Sequence, residues 1–197
     1  MGATLAEDGH VGSELNRRIG CAKNEFRCLR KVWNHAAINL QRKLHLYTAL
    51  VESKLLYGLA STCLTKAQER QVDGFQAKCL RQILRIPVSF VSRISNTEVL
   101  RRSGQTQATH LLQSMQLHLL GRVIRSPDGS LLKSVSFIPG TLRTAASRYV
   151  RRVGRPRKEW ITTVLPEALR RVQCNTGRLL QLAQDPKEWR AFVRSTG

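Results

Sequence analysis

The stretch Ser13–Trp33 reads SELNRRIGCAKNEFRCLRKVW and indicates the fold class of this 197-residue chain. Its apolar residues follow one another in steps of four and three, a spacing that keeps side chains on one face of an α-helix. These residues are Leu15, Ile19, Ala22, Phe26, Leu29 and Trp33. Ser13 is of a residue type that caps helix N-termini. We therefore expect one amphipathic helix from Ser13 to about Trp33.

The polar face of this predicted helix is basic. It carries six cationic residues, opposed only by Glu14 and Glu25. The six are Arg17, Arg18, Lys23, Arg27, Arg30 and Lys31. In the whole chain, 33 Lys and Arg stand against 13 Asp and Glu, so the formal net charge is +20 and the pI is near 11.1. A charge of this size favours anionic partners, most directly phosphate groups.

Further helices are predicted along the chain from capping residues and apolar stripes. Their expected extents are Asn39 to Gly58, Thr65 to a stop at Pro87, Ser95 to Gly104, and Thr106 to Arg125. Thr65 and Ser95 are each followed three residues later by Gln or Glu, which is the capping-box pattern. Ser126–Gly129, SPDG, is a turn signal that closes this helical part of the chain.

The remainder of the chain has weaker patterns. Lys133–Gly140 is predicted to be a short strand or an irregular linker, and Arg143–Lys158 a loop-rich boundary. Two short helices are expected after it, one from near Trp160 and one after Asp185, where Pro186 suits the first turn. The predicted fold is all-α. Its expected parts are a disordered N-terminus (1–12), a helical bundle (13–125), a linker with a basic loop (126–158) and a short helical segment (159–197).

The basic loop contains the stretch Arg151–Lys158, RRVGRPRK. Its cationic residues are Arg151, Arg152, Arg155, Arg157 and Lys158. Nucleic-acid backbone contact is one interpretation, because each cation that neutralises a phosphate releases a counterion. Gly154–Arg157 also matches the core of the AT-hook, which lies extended in the minor groove, although Val153 stands where that motif has arginine. A solvated linker is the third interpretation.

Catalytic motifs are sparse in the sequence. The four aspartates are far apart, whereas two-metal catalysis needs carboxylates that converge on the ions. Glu52-Ser53-Lys54 matches the Glu-x-Lys tripeptide of some nucleases but has no convincing aspartate partner. A phosphate-binding Gly-rich loop, H-E-x-x-H and G-x-S-x-G are all missing from the sequence. We therefore predict no catalytic residue, metal, cofactor or small-molecule substrate, and keep a small nuclease as an alternative.

The sequence also bears on the cellular compartment. It has no run of about 18 apolar residues, and its first twelve residues lack the basic start and apolar stretch of a secretory signal. Its five cysteines are odd in number and include no C-x-x-C pair, which argues against a disulfide framework or a zinc ribbon. We expect a nuclear or cytoplasmic protein that is not secreted and has no membrane partner.

Several stretches occur in a characteristic order. They are RRIGCA (17–22), LVESKLLYG (50–58), FQAKCLRQIL (75–84), ISNTEVL (94–100) and LLGRV (119–123). This order resembles the region that follows the palm in reverse transcriptases of non-LTR (LINE-type) retrotransposons. Gly154-Arg155-Pro156 with Trp160, and Asp185–Arg190, resemble the tail of such polyproteins more loosely.

The resemblance implies that residues 13–125 form a helical thumb that holds the primer–template backbone. Such contacts to phosphate and sugar position the nucleic acid without reading its sequence. The palm motif of the family, an aromatic residue followed by Ala-Asp-Asp, is absent, so polymerase activity is not expected of this chain alone. RNA, DNA and a separate palm are the candidate partners, within a ribonucleoprotein. An AT-hook-like DNA-binding protein and a decayed element copy without activity are the alternatives.

Overall fold

The computed structural model describes residues 11–138, 141–145 and 159–195, and these residues form an all-α fold. Within these ranges there is no β-strand, and one isolated bridge joins Phe137 to Thr144. The predicted fold class is confirmed. The chain forms two compact units that divide between Leu112 and Gln113. We call them the N-terminal unit and the C-terminal unit. The predicted disordered segment 1–12 lies almost entirely outside the described residues.

The N-terminal unit is built from short and medium-length helices. They are α1 (Gly12–Cys28), α2 (Arg30–Asn34), α3 (Leu40–Leu46), α4 (Ser53–Leu56), α5 (Lys66–Ile83), α6 (Ser89–Ser92), α7 (Asn96–Ser103) and the first residues of α8 (Ala108–Arg125). A π-helical turn, Tyr47–Glu52, joins α3 to α4. Helix α1 packs against this turn, α4 and α5, so three elements hold the predicted basic helix in place.

The first predicted helix is two helices. Leu29 leaves the helical region at ψ 13°, so α1 ends at Cys28 and α2 begins at Arg30. The Trp33 indole Nε1 donates to the Phe26 carbonyl at 2.8 Å, which satisfies one of the carbonyls that the end of α1 leaves without a helical partner. The prediction of a Ser13 cap was wrong, because the helix begins one residue earlier and has no side-chain cap.

The predicted apolar stripe largely forms the buried side of α1 and α2. Leu15, Ala22, Phe26 and Trp33 are buried, and the two other stripe residues are half-buried. The Phe26 and Trp33 rings stack with centroids 5.1 Å apart. The period of the sequence pattern therefore continues across the break at Leu29, which is why the sequence alone does not reveal it.

The predicted caps of the later helices are mostly confirmed. Asn39 caps α3, and Thr65 and Gln68 form a reciprocal capping box at α5. Ser95 caps α7 by accepting the Glu98 backbone N–H at 3.1 Å. The Glu98 carboxylate bonds two arginines of its own helix, so it leaves the second half of the expected box unmade.

Helix α5 ends at Ile83, four residues before the predicted stop at Pro87. Arg85 adopts the left-handed conformation with φ 54°. The backbone N–H groups of Arg85 and Ile86 bond back to Gln82 at 3.2 Å and Arg81 at 2.8 Å, which is the pairing of a Schellman C-terminal motif. Arginine thus occupies a left-handed C-terminal position at which glycine is the usual residue.

Side chains of α5 cap the start of α8. Asp73 accepts the Thr109 backbone N–H at 3.1 Å and the Gln107 side-chain amide at 2.6 Å. Gln76 accepts the Ala108 backbone N–H at 2.8 Å. These bonds satisfy backbone donors at the helix start, and α8 therefore begins at Ala108 instead of the predicted Thr106.

The described residues of the C-terminal unit form the rest of α8 and four further helices. They are α9 (Leu131–Ser136), α10 (Trp160–Arg171), α11 (Thr176–Gln184) and α12 (Pro186–Arg194). Its core centres on Trp189, which is 1 % exposed and donates from Nε1 to the Leu117 carbonyl at 2.9 Å. Phe137, inside the predicted linker 126–158, is 1 % exposed and belongs to the same core.

Two predictions for the C-terminal unit were wrong. Lys133–Ser136 belongs to a short helix, capped by Ser130, and is neither strand nor irregular linker. Three helices, not two, follow residue 158, because Asn175 caps an additional helix, α11. The helices expected from Trp160 and after Asp185 are confirmed, the latter with Asp185 as cap and Pro186 in the first turn.

None of the helices in the described part of the chain combines the length and the apolar character that a membrane crossing needs.

Candidate nucleic-acid interface

Four of the six predicted cations on the first basic segment lie on the surface. Lys23 and Arg27 on α1, and Arg30 and Lys31 on α2, are exposed. Among the residues that the structure describes, none of these four forms a salt bridge with an acidic side chain. The break at Leu29 divides these cations between two helices that follow one another in the chain. We call these four residues the basic surface.

The two other predicted cations are engaged inside the N-terminal unit. Glu14, itself buried, accepts Arg17 Nε at 2.8 Å and Arg18 Nε at 2.6 Å. The Arg18 guanidinium also lies 4.4 Å from the centre of the Tyr57 ring, a cation–π contact. Arg18 is 6 % exposed, so its prediction as a phosphate ligand is corrected: it packs the unit together. Arg17 is half-buried beside it.

The second acidic residue of α1 is also neutralised. Glu25 pairs with Lys54 of α4. Both carboxylates of α1 therefore have cationic partners away from the basic surface. No carboxylate of α1 neutralises the charge of that surface.

A surface cleft of about 760 Å³ opens beside the basic surface. Its rim carries Arg27 and Arg30 with polar side chains, and its buried part is formed by the stacked rings of Phe26 and Trp33. The remaining lining residues are Asn24, Cys28, Asn34 and Gln82. Guanidinium groups on an exposed rim are suited to bidentate contacts with phosphate oxygens.

Sequence reasoning missed the contribution of α5 to this cleft. Gln82 lines it, and Arg85, two residues beyond the end of α5, donates from Nη2 to the carbonyl of the lining residue Asn34 at 3.4 Å. The sequence places these residues about fifty positions from α2, and no local pattern connects them. The available signal was the run from Gly74 to Thr97, which contains four basic residues and no acidic one.

The C-terminal unit carries a second group of cations that the sequence patterns did not single out. His118 on α8 has its pKa lowered below the usual 6.5, first by burial and then by surrounding arginines. These are Arg122, Arg194, Arg190 and Arg125. Arginines of α8 and α12 therefore lie close enough to His118 to form one positive region. The predicted contact Arg151, Arg152, Arg155, Arg157 and Lys158 lies outside the described residues.

The Glu-x-Lys tripeptide does not assemble into a site. Glu52 is 4 % exposed and accepts from Gln76 Nε2 at 3.0 Å, whereas Lys54 lies at the surface beside Glu25. Burial raises the pKa of Glu52 from 4.5 to about 7, and the Gln76 bond opposes this shift. Burial also raises the pKa of Tyr47, whose hydroxyl has no hydrogen-bond partner among the described residues. This geometry gives the nuclease alternative no support.

The described residues contain no group of three or more His, Cys, Asp or Glu side chains placed to hold a metal ion. Comparison with protein-family models, with curated proteins and with solved structures found no match. The resemblance to retrotransposon polymerases therefore stays a prediction from the sequence.

Proposed function

We propose that this chain binds the sugar–phosphate backbone of nucleic acid through the basic surface and the adjoining cleft. The observation that carries the proposal is the set of four exposed cations on α1 and α2 without acidic partners in the described part of the chain. Two of them, Arg27 and Arg30, stand on the rim of the cleft. Each cation that contacts a phosphate contributes through counterion release.

The proposal extends to the polymerase family suggested by the sequence. The N-terminal unit would then hold a primer–template duplex non-specifically, as a thumb does, with catalysis supplied by a separate palm. The helical bundle and the basic surface on its first two helices support this interpretation. In this proposal the basic stretch 151–158 makes a second contact with the nucleic-acid backbone, as the sequence predicts. AT-hook-like DNA binding by the same stretch stays the alternative.

The first prediction concerns salt. Binding of a 20-base-pair duplex should weaken steeply with salt, with a slope in log–log coordinates of about 0.9 per phosphate neutralised. In the Arg27→Gln/Arg30→Gln double variant the slope should fall by about two, because two phosphate contacts are lost. Fluorescence anisotropy at a series of KCl concentrations measures both slopes.

The matched control removes the same charge elsewhere on the N-terminal unit. Arg101 and Arg102 are exposed on α7 and pair with Glu98. The Arg101→Gln/Arg102→Gln variant should keep the wild-type slope. Wild-type binding that is flat with salt, or equal slopes for the two double variants, would contradict the proposed interface.

The second prediction tests whether the C-terminal unit contributes. Phosphates that neutralise Arg122, Arg190 and Arg194 should raise the pKa of His118 toward 6.5. In the free protein burial lowers this pKa first and those arginines lower it further, and the phosphates cancel the second cause. NMR titration of the His118 ring protons, with and without duplex, measures the change. The Arg122→Gln variant should raise the pKa of His118 without any ligand. An unchanged pKa in the saturated complex would exclude these arginines from the interface.

A further inference from the structure

The loop between α5 and α7 holds three apolar side chains in solvent. Phe90 is 81 % exposed, Val88 61 % and Val91 58 %. Scattered exposed apolar residues are ordinary, but three within four positions form a patch, and such patches mark binding surfaces. We call residues 85–93 the Phe90 loop.

The Phe90 loop is fastened to the bundle by one buried side chain. Arg81 of α5, 7 % exposed, donates to the carbonyls of Pro87 at 3.2 Å and Ile94 at 2.6 Å, one at each end of the apolar tip. It also bonds the Asn96 side chain at 3.0 Å. The tip itself is a helical turn in which Ser92 N–H bonds the Val88 carbonyl at 3.0 Å. The exposed apolar side chains are thus presented on an ordered backbone.

The charge around the tip is uniformly positive. Arg85 and Arg93 lie at the two ends of the loop, both exposed and both in the left-handed conformation at φ 54° and φ 57°. Arg81, beneath the loop, has no acidic partner among the residues that the structure describes. Its buried charge therefore adds to the positive potential at the surface.

The Phe90 loop adjoins the proposed interface. Arg85, its first residue, contacts the Asn34 carbonyl, and Asn34 and Gln82 line the cleft beside the basic surface. Arg85 therefore connects the cleft to the apolar tip along the chain.

We propose that the Phe90 loop binds unpaired bases of a nucleic-acid strand, with one base stacked on the Phe90 ring and the flanking phosphates held by Arg85 and Arg93. An exposed aromatic ring between cations matches the alternation of base and phosphate along a single strand. The inference rests on the proposed function and deepens it: the basic surface holds the backbone, and the Phe90 loop selects single-stranded segments.

The test compares a 20-nucleotide single strand with a blunt duplex of the same sequence, using the full-length chain. Phe90→Ala should weaken single-strand binding roughly 5- to 150-fold, the range of one aromatic–base stack, and leave duplex binding within about twofold. Phe90→Tyr should restore binding, whereas Phe90→Leu, apolar but not aromatic, should not. A 2-aminopurine base in the strand should be quenched by the wild type and not by Phe90→Ala.

The control variant is Leu131→Ala, which truncates a side chain 79 % exposed in the C-terminal unit and should change neither affinity. Thermal unfolding should be unchanged in Phe90→Ala, since Phe90 packs against little. If the wild type binds with the expected salt dependence and Phe90→Ala binds equally well, this inference is overturned and the proposed function stands. A wild type that binds neither nucleic acid would overturn both.

Two further outcomes would assign the loop to another occupant and overturn the inference. One is loss of binding to phosphatidylserine vesicles in Phe90→Ala with oligonucleotide affinity unchanged. The other is wild-type self-association in sedimentation velocity that Phe90→Ala abolishes while oligonucleotide affinity stays unchanged.

Discussion

The Trp189→Ala variant should lose about 4 kcal/mol of the free energy of unfolding of the C-terminal unit. Trp189 is 1 % exposed, and truncating a fully buried tryptophan removes its burial and leaves a cavity, at a cost of about 3–5 kcal/mol. It also removes the bond from Nε1 to the Leu117 carbonyl. Urea denaturation followed by circular dichroism measures the loss. Leu131→Ala, an exposed control in the same unit, should stay within about 0.5 kcal/mol of the wild type.

The close approach of α8 to Trp189 provides an independent check of this packing. A Cβ atom on Gly121 would lie 2.3 Å from Trp189 Nε1, so only glycine fits there without displacing the indole. Gly121→Ala alone should cost about 1–3 kcal/mol through overpacking. In the Trp189→Ala background the same change should cost almost nothing, because the indole that it strikes is gone. Additive losses in the double variant would contradict the described contact.

Ionisation of Glu52 should cost the wild type about 3 kcal/mol of its free energy of unfolding as the pH rises from acid to neutral. The Glu52→Gln variant should not show this loss. The carboxyl is protonated in both the folded and the unfolded state below pH 4.5. From pH 4.5 to about 7 the unfolded chain ionises Glu52 while the folded chain keeps the proton, so stability falls as pH rises. This loss of about 3 kcal/mol follows because a tenfold change in the acid dissociation constant corresponds to about 1.4 kcal/mol. Above about pH 7 the loss is complete.

Glutamine keeps an oxygen that can accept the Gln76 amide and carries no charge to bury. Urea denaturation of both proteins at pH 4.5 and pH 8 should therefore show equal stability at the lower pH and a more stable variant at the higher pH. Tyr47→Phe is the matched control, because it alters the same π-helical turn and should keep the wild-type pH dependence. A difference between Glu52→Gln and the wild type that is the same at both pH values would contradict a buried, titrating Glu52.

Local signals predicted most helices and their caps. The three-four spacing of Leu15 to Trp33 and the polar caps at Asn39, Thr65 and Asp185 act within one turn, so they can be recognised without tertiary structure. The additional helix α11 also has a polar cap, Asn175, but it is short and was not separated from its neighbours in the sequence. The break at Leu29, beside which the Trp33 indole bonds the Phe26 carbonyl, is not visible in the periodicity.

The candidate site was less predictable, because exposure and pairing are tertiary properties. Helical spacing placed Arg18 on the basic face, yet Tyr57 and Glu14 enclose it in the structure. Lys23 and Arg27 have the same residue character and remain exposed. Arg85, just beyond α5, bonds the cleft residue Asn34 across some fifty positions of sequence. Phe90 is apolar, so no charge pattern marks it.

The π-helical turn Tyr47–Glu52 makes chain length itself a constraint. Such a turn contains one residue more than an α-helical turn and is equivalent to a single-residue insertion in an otherwise continuous helix. The π-helical turn absorbs that extra residue, whereas a one-residue deletion before it, between Leu44 and Tyr47, would rotate everything beyond by about 100° relative to the start of α3. Leu44 before the turn and Leu55 after it are both buried, and they would no longer face the same interior. Within the turn, at Thr48–Leu50, where all three side chains are exposed, related chains should tolerate loss of the extra residue, because an α-helical turn then restores the same buried faces.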